Sequence, residues 1–317
     1  MSDYRIRNQL LLAVPEAVSG VEESPTPAAN AVRVRFPMQF TPNLEQLETD
    51  YVTGSLSGSA PIVGGGTVSM PFRGFLKGAG TPGVPPDIGV PLRGCGFSET
   101  ITATPVTGTA AGGSLNTITL DASASSVDNF YKGMPIEIVS GPGAGQGFRV
   151  ITGYDGSTKE ATVYPDWAEA PAGTSEYSIP ANTLYRPVSE GLETLTLWQY
   201  QHRNTGMSKL RRLKGAAGNF TMRLAPRGLA EIDFTFQGQL VGAPEDVAKP
   251  ADPVYQLNNP RPFLAAQAFL GGQPVKFSEF TFDLNADVQA FDNPAEAFGF
   301  DPYAIANRPQ PGGRIVP

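Results

Sequence analysis

Apolar and polar residues alternate with a period of two in several short runs of this chain. Leu195 and Leu197 alternate with Thr194 and Thr196, while Ile232, Phe234 and Phe236 alternate with Glu231, Asp233 and Thr235. Phe280, Phe282 and Leu284 are set against Glu279 and Asp283 in the same way. Successive side chains of an extended backbone point to opposite faces, so each run predicts a strand with one face buried. The candidate core strands are residues 31–36, 192–200, 231–237 and 278–285. From 185 to 238 the order reads strand, basic loop, strand, turn, strand.

A second set of strands lies between Ile101 and Asn182. Residues 116–120, 135–140 and 148–153 read as strands, and an Asp155-Gly156 turn leads into 161–164, a strong hairpin signal. This set predicts a small β-module of its own, inserted at 102–181 into a core formed by 1–101 and 182–317.

Composition agrees with an all-β reading. The chain has 317 residues with Gly 36 and Pro 30, enough length for a proper core and dense turn chemistry between short strands. No apolar run approaches the roughly 20 residues of a membrane helix. The apolar run at Leu10-Leu11-Leu12 is short and is followed by Pro15 and Glu16, so it resembles a leader only weakly and synthesis in the cytoplasm is expected.

Candidate chemistry is sparse. A single cysteine and a single histidine cannot build a zinc cluster, and Cys95 has no partner for an internal disulfide; it reads as a small buried packing residue. His202 stands without a nucleophile elbow or a catalytic-cysteine pattern. The run Gly141-Pro142-Gly143-Ala144-Gly145-Gln146-Gly147 lacks the following Lys-Ser and leads into a strand, so it reads as a tight turn and not as a phosphate cradle. Neither a cofactor nor a metal is expected.

Charge is unevenly distributed. Residues 113–180 carry eight acids against three bases, most of the chain's net −7. By contrast, residues 200–227 carry Arg203, Lys209, Arg211, Arg212, Lys214, Arg223 and Arg227 with no acid. Such asymmetry predicts a partner surface, either DNA or an acidic edge of a neighbouring subunit. Leu210 and Leu213 are interspersed with the bases, which suits a short helical or extended contact element better than a nucleic-acid stripe with stacking aromatics.

Four segments, in order, resemble the tail tube (major tail) proteins of long-tailed bacteriophages. They are the Pro-rich opening AVPEAVSGVEESPTPAANAVRV, the segment FRGFLKGAGTPGVPPDIGVPLRGCGFSETI, the central YRPVSEGLETLTLWQYQHRNTGMSKLRRLKGAAGNFTMRLAPRGLAEIDFTFQG, and the closing VKFSEFTFDLNADVQAFDNP with IANRPQPGGRIV. The resemblance implies a tail-tube-type β-barrel or sandwich with a short helix or helical loop, plus the inserted β-module on the tube exterior. It implies no enzymatic activity. The subunit would close into rings, hexameric in the family, that stack into the conduit for DNA ejection in the virion tail. Further partners would be tape measure, terminator and distal tail components, with double-stranded DNA in transient passage.

Site expectations follow from the same resemblance. Arg203, Lys209, Leu210, Arg211, Arg212, Leu213 and Lys214 would contact the next subunit, because a conduit that bound phosphates through many bases would hold its DNA. Acid faces at Glu231, Asp233, Glu279 and Asp283 would line the lumen, or would simply meet solvent. The arm through Asn30 and the loop at 53–67 would reach the adjacent ring. Related chains often continue past the segment ending at Val316, so the resemblance implies either a short member without a second domain or a closing strand donated by another subunit. The alternative is a monomeric carbohydrate-binding or adhesion protein using Tyr154, Tyr164 and Trp167 of the module as exposed glycan contacts.

Overall fold

The computed structural model describes residues 4–49, 51–52, 60–204, 206–264, 268–270, 273–296 and 299–316. It is almost entirely β. A ten-stranded sheet runs in the order Ala31–Val32, Tyr4–Pro15, Leu195–Arg203, Met207–Leu224, Glu231–Leu240, Ile62–Phe75, Thr41–Leu47. Glu245–Ala248 and Glu279–Asp283 also pair with Met207–Leu224, and Gly312–Val316 pairs with Glu279–Asp283. The 18-residue strand Met207–Leu224 is long enough to carry two partners in tandem along each edge.

The alternation read from the sequence determines which side is buried. Ile232, Phe234 and Phe236 point into the core with Phe72, Leu197, Leu213 and Phe220. Phe72 stacks on Phe236 with ring centroids 5.7 Å apart, and each such ring contributes on the order of 1.5–3 kcal/mol by leaving water. The Leu10-Leu11-Leu12 run sits in the strand Tyr4–Pro15 and is buried on both faces: Leu11 in this core, Leu10 and Leu12 in a second cluster with Tyr200 and Leu210.

The basic element at 210–214, read as short helical or extended, is strand, and the helix lies at Gly89–Gly94. That helix packs so closely on the sheet that a Cβ at Gly94 would stand 2.5 Å from Leu195 and 2.8 Å from Phe236, so only glycine fits. Cys95 follows it, fully buried, and burial pushes its thiol pKa far up.

Two expectations are corrected. The strand at 31–36 forms ladder only at Ala31–Val32, because the chain then changes partner: the Arg35 amide donates to Arg73 O at 2.6 Å on the opposite side of the sheet. This crossing segment brings the sheet's ends towards each other, yet no closed barrel is found among the described residues. The arm is not free either, since Tyr4–Pro15 pairs along Leu195–Arg203 as an interior strand of the sheet.

Residues Val106 to Ile179 form a separate seven-stranded sheet. Its core gathers Ile118, Leu120, Met134, Ile136, Ile138, Ile151, Val163, Trp167, Tyr177 and Ile179. Pro135–Ser140 is the strand expected at those positions, and Arg149–Asp155 with Glu160–Tyr164 forms the hairpin around Asp155-Gly156. Both chain crossings between the two cores run through one antiparallel ladder, Phe97–Thr102 against Asn182–Pro187. Leu184 of that ladder packs on the smaller core and Tyr185 on the larger.

Candidate assembly surfaces

The basic segment is folded against acids of its own chain. Arg203 and Lys209 both reach Asp246 at 3.0 Å, and Arg212 pairs with Glu22 at 3.4 Å and with Glu245. Lys209 and Arg203 together hold the Asp246 carboxyl below its ordinary range, the Lys209 hydrogen bond first. Arg211 donates to Gln201 at 3.1 Å and to Gln199 at 3.4 Å. Leu210 and Leu213, an odd number of residues apart on one strand, point to opposite faces and are both buried. Six of the seven residues expected to contact a neighbour are therefore engaged within the chain, four bases in polar contacts and two leucines buried in its cores. Lys214 is half-buried. The acidic partner strand Glu245–Ala248 was not read from the sequence, although Glu245-Asp246 after an all-basic stretch is the signal that could have marked it.

Glu16 is the buried centre of this region. Its carboxylate accepts from Thr194 Oγ1 at 2.6 Å, Thr196 Oγ1 at 2.9 Å, Gly20 N at 2.7 Å and Gly215 N at 2.7 Å. Gly215, with φ at +55°, sits where the pairing of Met207–Leu224 shifts register, so its amide turns out of the ladder and needs another acceptor. Nothing in the sequence pattern singled out this residue.

Opposite the aromatic core, the sheet presents a polar face. Glu231 and Asp233 lie on it, but they are not bare. Arg35 pairs with Glu231 and Arg73 with Asp233, the cations coming from neighbouring backbone across the sheet. Asp283 accepts from Asn285 N at 2.9 Å, and no ion pair among the described residues engages Asp283 or Glu279.

The aromatic glycan contacts do not form. Tyr154 is 5 % exposed and Trp167 2 %, both inside the small core, and only Tyr164 retains partial exposure. Tyr154 donates to Ser125 O at 2.5 Å, and burial raises its pKa to about 12. Period two explains the error: Tyr154 shares a face with the buried Ile151 only because the strand bulges between Ile151 and Gly153. His202 is also buried, its Nδ1 2.7 Å from Ser208 Oγ, and burial followed by Lys249 lowers its pKa.

Among the described residues, Thr41–Leu47 and Gly312–Val316 are edge strands of the large sheet, as are the shorter Ala31–Val32 and Glu245–Ala248. All seven residues of Thr41–Leu47 are exposed, and the Gly312–Val316 strand has a partner on one side only. The loop expected at 53–67 is strand from Ile62 onward, and its residues 53–59 lie outside the described residues.

An almost all-β chain with apolar cores and unpaired strand edges has the features of a structural protein. A family model described as phage tail tube protein matches residues 6–317, nearly the whole chain, and the chain belongs to that family. Comparison with curated proteins finds no match.

Proposed function

We propose that copies of this chain close into rings, six to a ring as the family resemblance implies, and that the rings stack into the tail tube through which DNA leaves the virion. The observation that carries this reading is the open ten-stranded sheet with Thr41–Leu47 exposed along one edge and Gly312–Val316 along another. Exposed strand edges invite pairing with another chain unless they are consumed, and a head-to-tail ring consumes them. The polar face bearing Glu231, Asp233, Glu279 and Asp283 then lines the lumen, and the module at 102–181 stands outside it, clear of the edges. Tape measure, terminator and distal tail components meet the ends of the stack.

The role is structural and non-enzymatic. The adhesion alternative loses its main support, because two of its three aromatic contacts are core residues. Electron microscopy of the purified chain at high concentration, with light scattering in parallel, tests the reading. Rings or hollow tubes are expected; a monomer that persists at every concentration refutes self-assembly.

A further inference from the structure

The small sheet turns one face to solvent, and part of that face is apolar. Its end strands, Val106–Thr109 and Gly112–Gly113, are consecutive pieces of one segment, so it has no long free edge with which to add a strand. Ile136, Ile138, Ile151 and Val163 point into the module's core. The residues that alternate with them point out: Pro135, Val150 and Tyr164 stand in one cross-strand row, and Phe148 and Val139 extend it along their strands. Val139, Phe148 and Val150 are 52 %, 56 % and 49 % exposed, and apolar residues gathered in this way on a folded domain mark an interaction site. Acids border them. Glu137 lies between Pro135 and Val139, Glu160 shares the face of Tyr164, and Asp166 is exposed just beyond it; none of the three enters an ion pair among the described residues. Arg149 is turned to the other face opposite Ile136, and Lys132 is the nearby exposed base along the chain.

A surface of opposite charge lies on the large core, along a strap of irregular backbone at 249–264. The strap is fastened by side chains: Gln256 Nε2 donates to Pro85 O at 2.8 Å, Asp87 N donates to Gln256 Oε1 at 3.0 Å, and the buried Lys77 donates to Gln256 O at 3.1 Å and to Asn258 Oδ1 at 3.2 Å. Its far end lines a groove with Leu224, which shares the core side of the sheet with Phe220 and Met222, so the strap lies away from the polar face. Outward it carries Val254, Leu257 and Leu264, with Leu257 81 % exposed. Arg261 of the strap is exposed, as is Arg33 near Tyr255, and neither enters an ion pair among the described residues. The strap's acid, Asp252, is paired with Lys249 at 3.4 Å.

We propose that the apolar outer face of the module docks on this strap of a second copy of the chain. The inference rests on the self-assembly reading above and deepens it by giving the module a partner. Phosphates and anionic headgroups are repelled by Glu137, Glu160 and Asp166, and so is another copy's module, which carries the same acids; the strap pairs apolar side chains with free cations. Both surfaces are exposed within one copy, so they meet only between copies. The module's first connection, Phe97–Thr102, follows the helix Gly89–Gly94 that packs on the core side of the sheet, the side on which the strap also lies. Copies that share a polar lumen would therefore turn module and strap outward together. Phe148 and Val150 would leave water against Leu257 and Val254 while Glu137 approaches Arg261. Each copy offers one surface of each kind, so the contact is heterologous and clamps neighbours from outside the sheet.

Cysteine cross-linking of the full chain tests the proposal. Phe148→Cys and Leu257→Cys together, after mild oxidation with diamide, are expected to give a reducible ladder of dimers, trimers and longer species. Each single variant gives no ladder, and Cys95 does not compete because it is fully buried. In parallel, Glu137→Arg is expected to lower the sedimenting fraction severalfold, and adding Arg261→Glu in the same chain restores it; a loss that this second change does not repair overturns the pairing. Parent chain that assembles while the double-cysteine variant assembles without a ladder, or links only within single copies, overturns the docking of module on strap and leaves self-assembly standing. Parent chain that never assembles overturns both.

Discussion

Glu16 offers a direct test of how firmly the N-terminal segment is fastened. Its carboxylate satisfies two hydroxyls and two backbone amides, those of Gly20 and Gly215. Glu16→Ala leaves the hydroxyls free to rotate towards other acceptors but strands both amides. A stranded buried donor costs about 1–3 kcal/mol, so the pair predicts a loss of about 4 kcal/mol. Glu16→Gln keeps one acceptor oxygen, and its amide can donate to a turned Thr194 hydroxyl, so one backbone amide is stranded and the loss is about 2 kcal/mol. Against the 5–15 kcal/mol typical of folded domains, either is a large fraction. Urea unfolding at neutral pH under conditions that keep the chain monomeric reads both values from the midpoint, with the denaturant slope unchanged. A Glu16→Ala chain within 1 kcal/mol of the parent, or a Gln variant as damaged as the Ala variant, would refute this account of the hydrogen-bond centre.

Other consequences are open to the same kind of measurement. Burial and then Lys249 lower the His202 pKa, so the unfolded chain binds that proton more readily; its contribution to stability is full above the ordinary value of 6.5 and falls as pH drops through it. His202→Asn should flatten the change in urea midpoint between about pH 7.5 and 5.5, and an unchanged slope would contradict the assignment. Asp155 is held at about 2 by the Ser157 hydroxyl and then the Thr158 and Ser157 amides, so its stabilising effect persists above 3.8 and is lost as pH falls towards 2. Asp155→Asn should remove that acid-side dependence from melting of the small sheet. Trp167→Ala, emptying the centre of the small core, should cost about 3–5 kcal/mol. Hydrogen exchange should then rise in the strands from Pro135 to Ile179 while Met207–Leu224 stays protected, and equal loss in both sheets would mean that the two cores unfold as one.

The strands were legible wherever one face is apolar and the other polar. Glu231–Leu240, Leu195–Arg203 and the module hairpin carry that alternation directly, and the structure places them within a few residues of the sequence reading. Segments with both faces occupied were harder. The middle of Tyr4–Pro15 is buried on both sides, so its Leu10-Leu11-Leu12 run carried no period and read as part of an arm. The basic stretch was read as a loop because Arg211-Arg212 interrupt the alternation. They tolerate a sheet position only because Gln199, Gln201, Glu22 and Glu245 receive them, and those partners lie 10 to 190 residues away in sequence. Charge counted along a chain detects an imbalance; it does not tell a partner in another copy from a partner in the same one.

That same distinction governs the polar face of the sheet. Read along one strand, Glu231 and Asp233 form an acidic row, and around a closed ring such a row would gather like charges from every copy onto a single circumference. Mutual repulsion across a protein surface grows as neighbouring charges approach, so a bare row would oppose the assembly it was meant to serve. Arg35 and Arg73, contributed by adjacent backbone, cancel these two acids at contact distance before any second copy arrives. What remains on the face of the proposed lumen is Glu279 and Asp283 with Arg223 and Arg314 beside them, next to the edge strand Gly312–Val316 where another copy would join. Arg35 and Arg73 on this surface are committed to carboxylates and so hold passing phosphates less, while Arg223 and Arg314 share the face outside any ion pair among the described residues. Removing Arg35 and Arg73 should thus weaken assembly before it alters DNA passage, whereas reversing Glu279 and Asp283 should act on passage first.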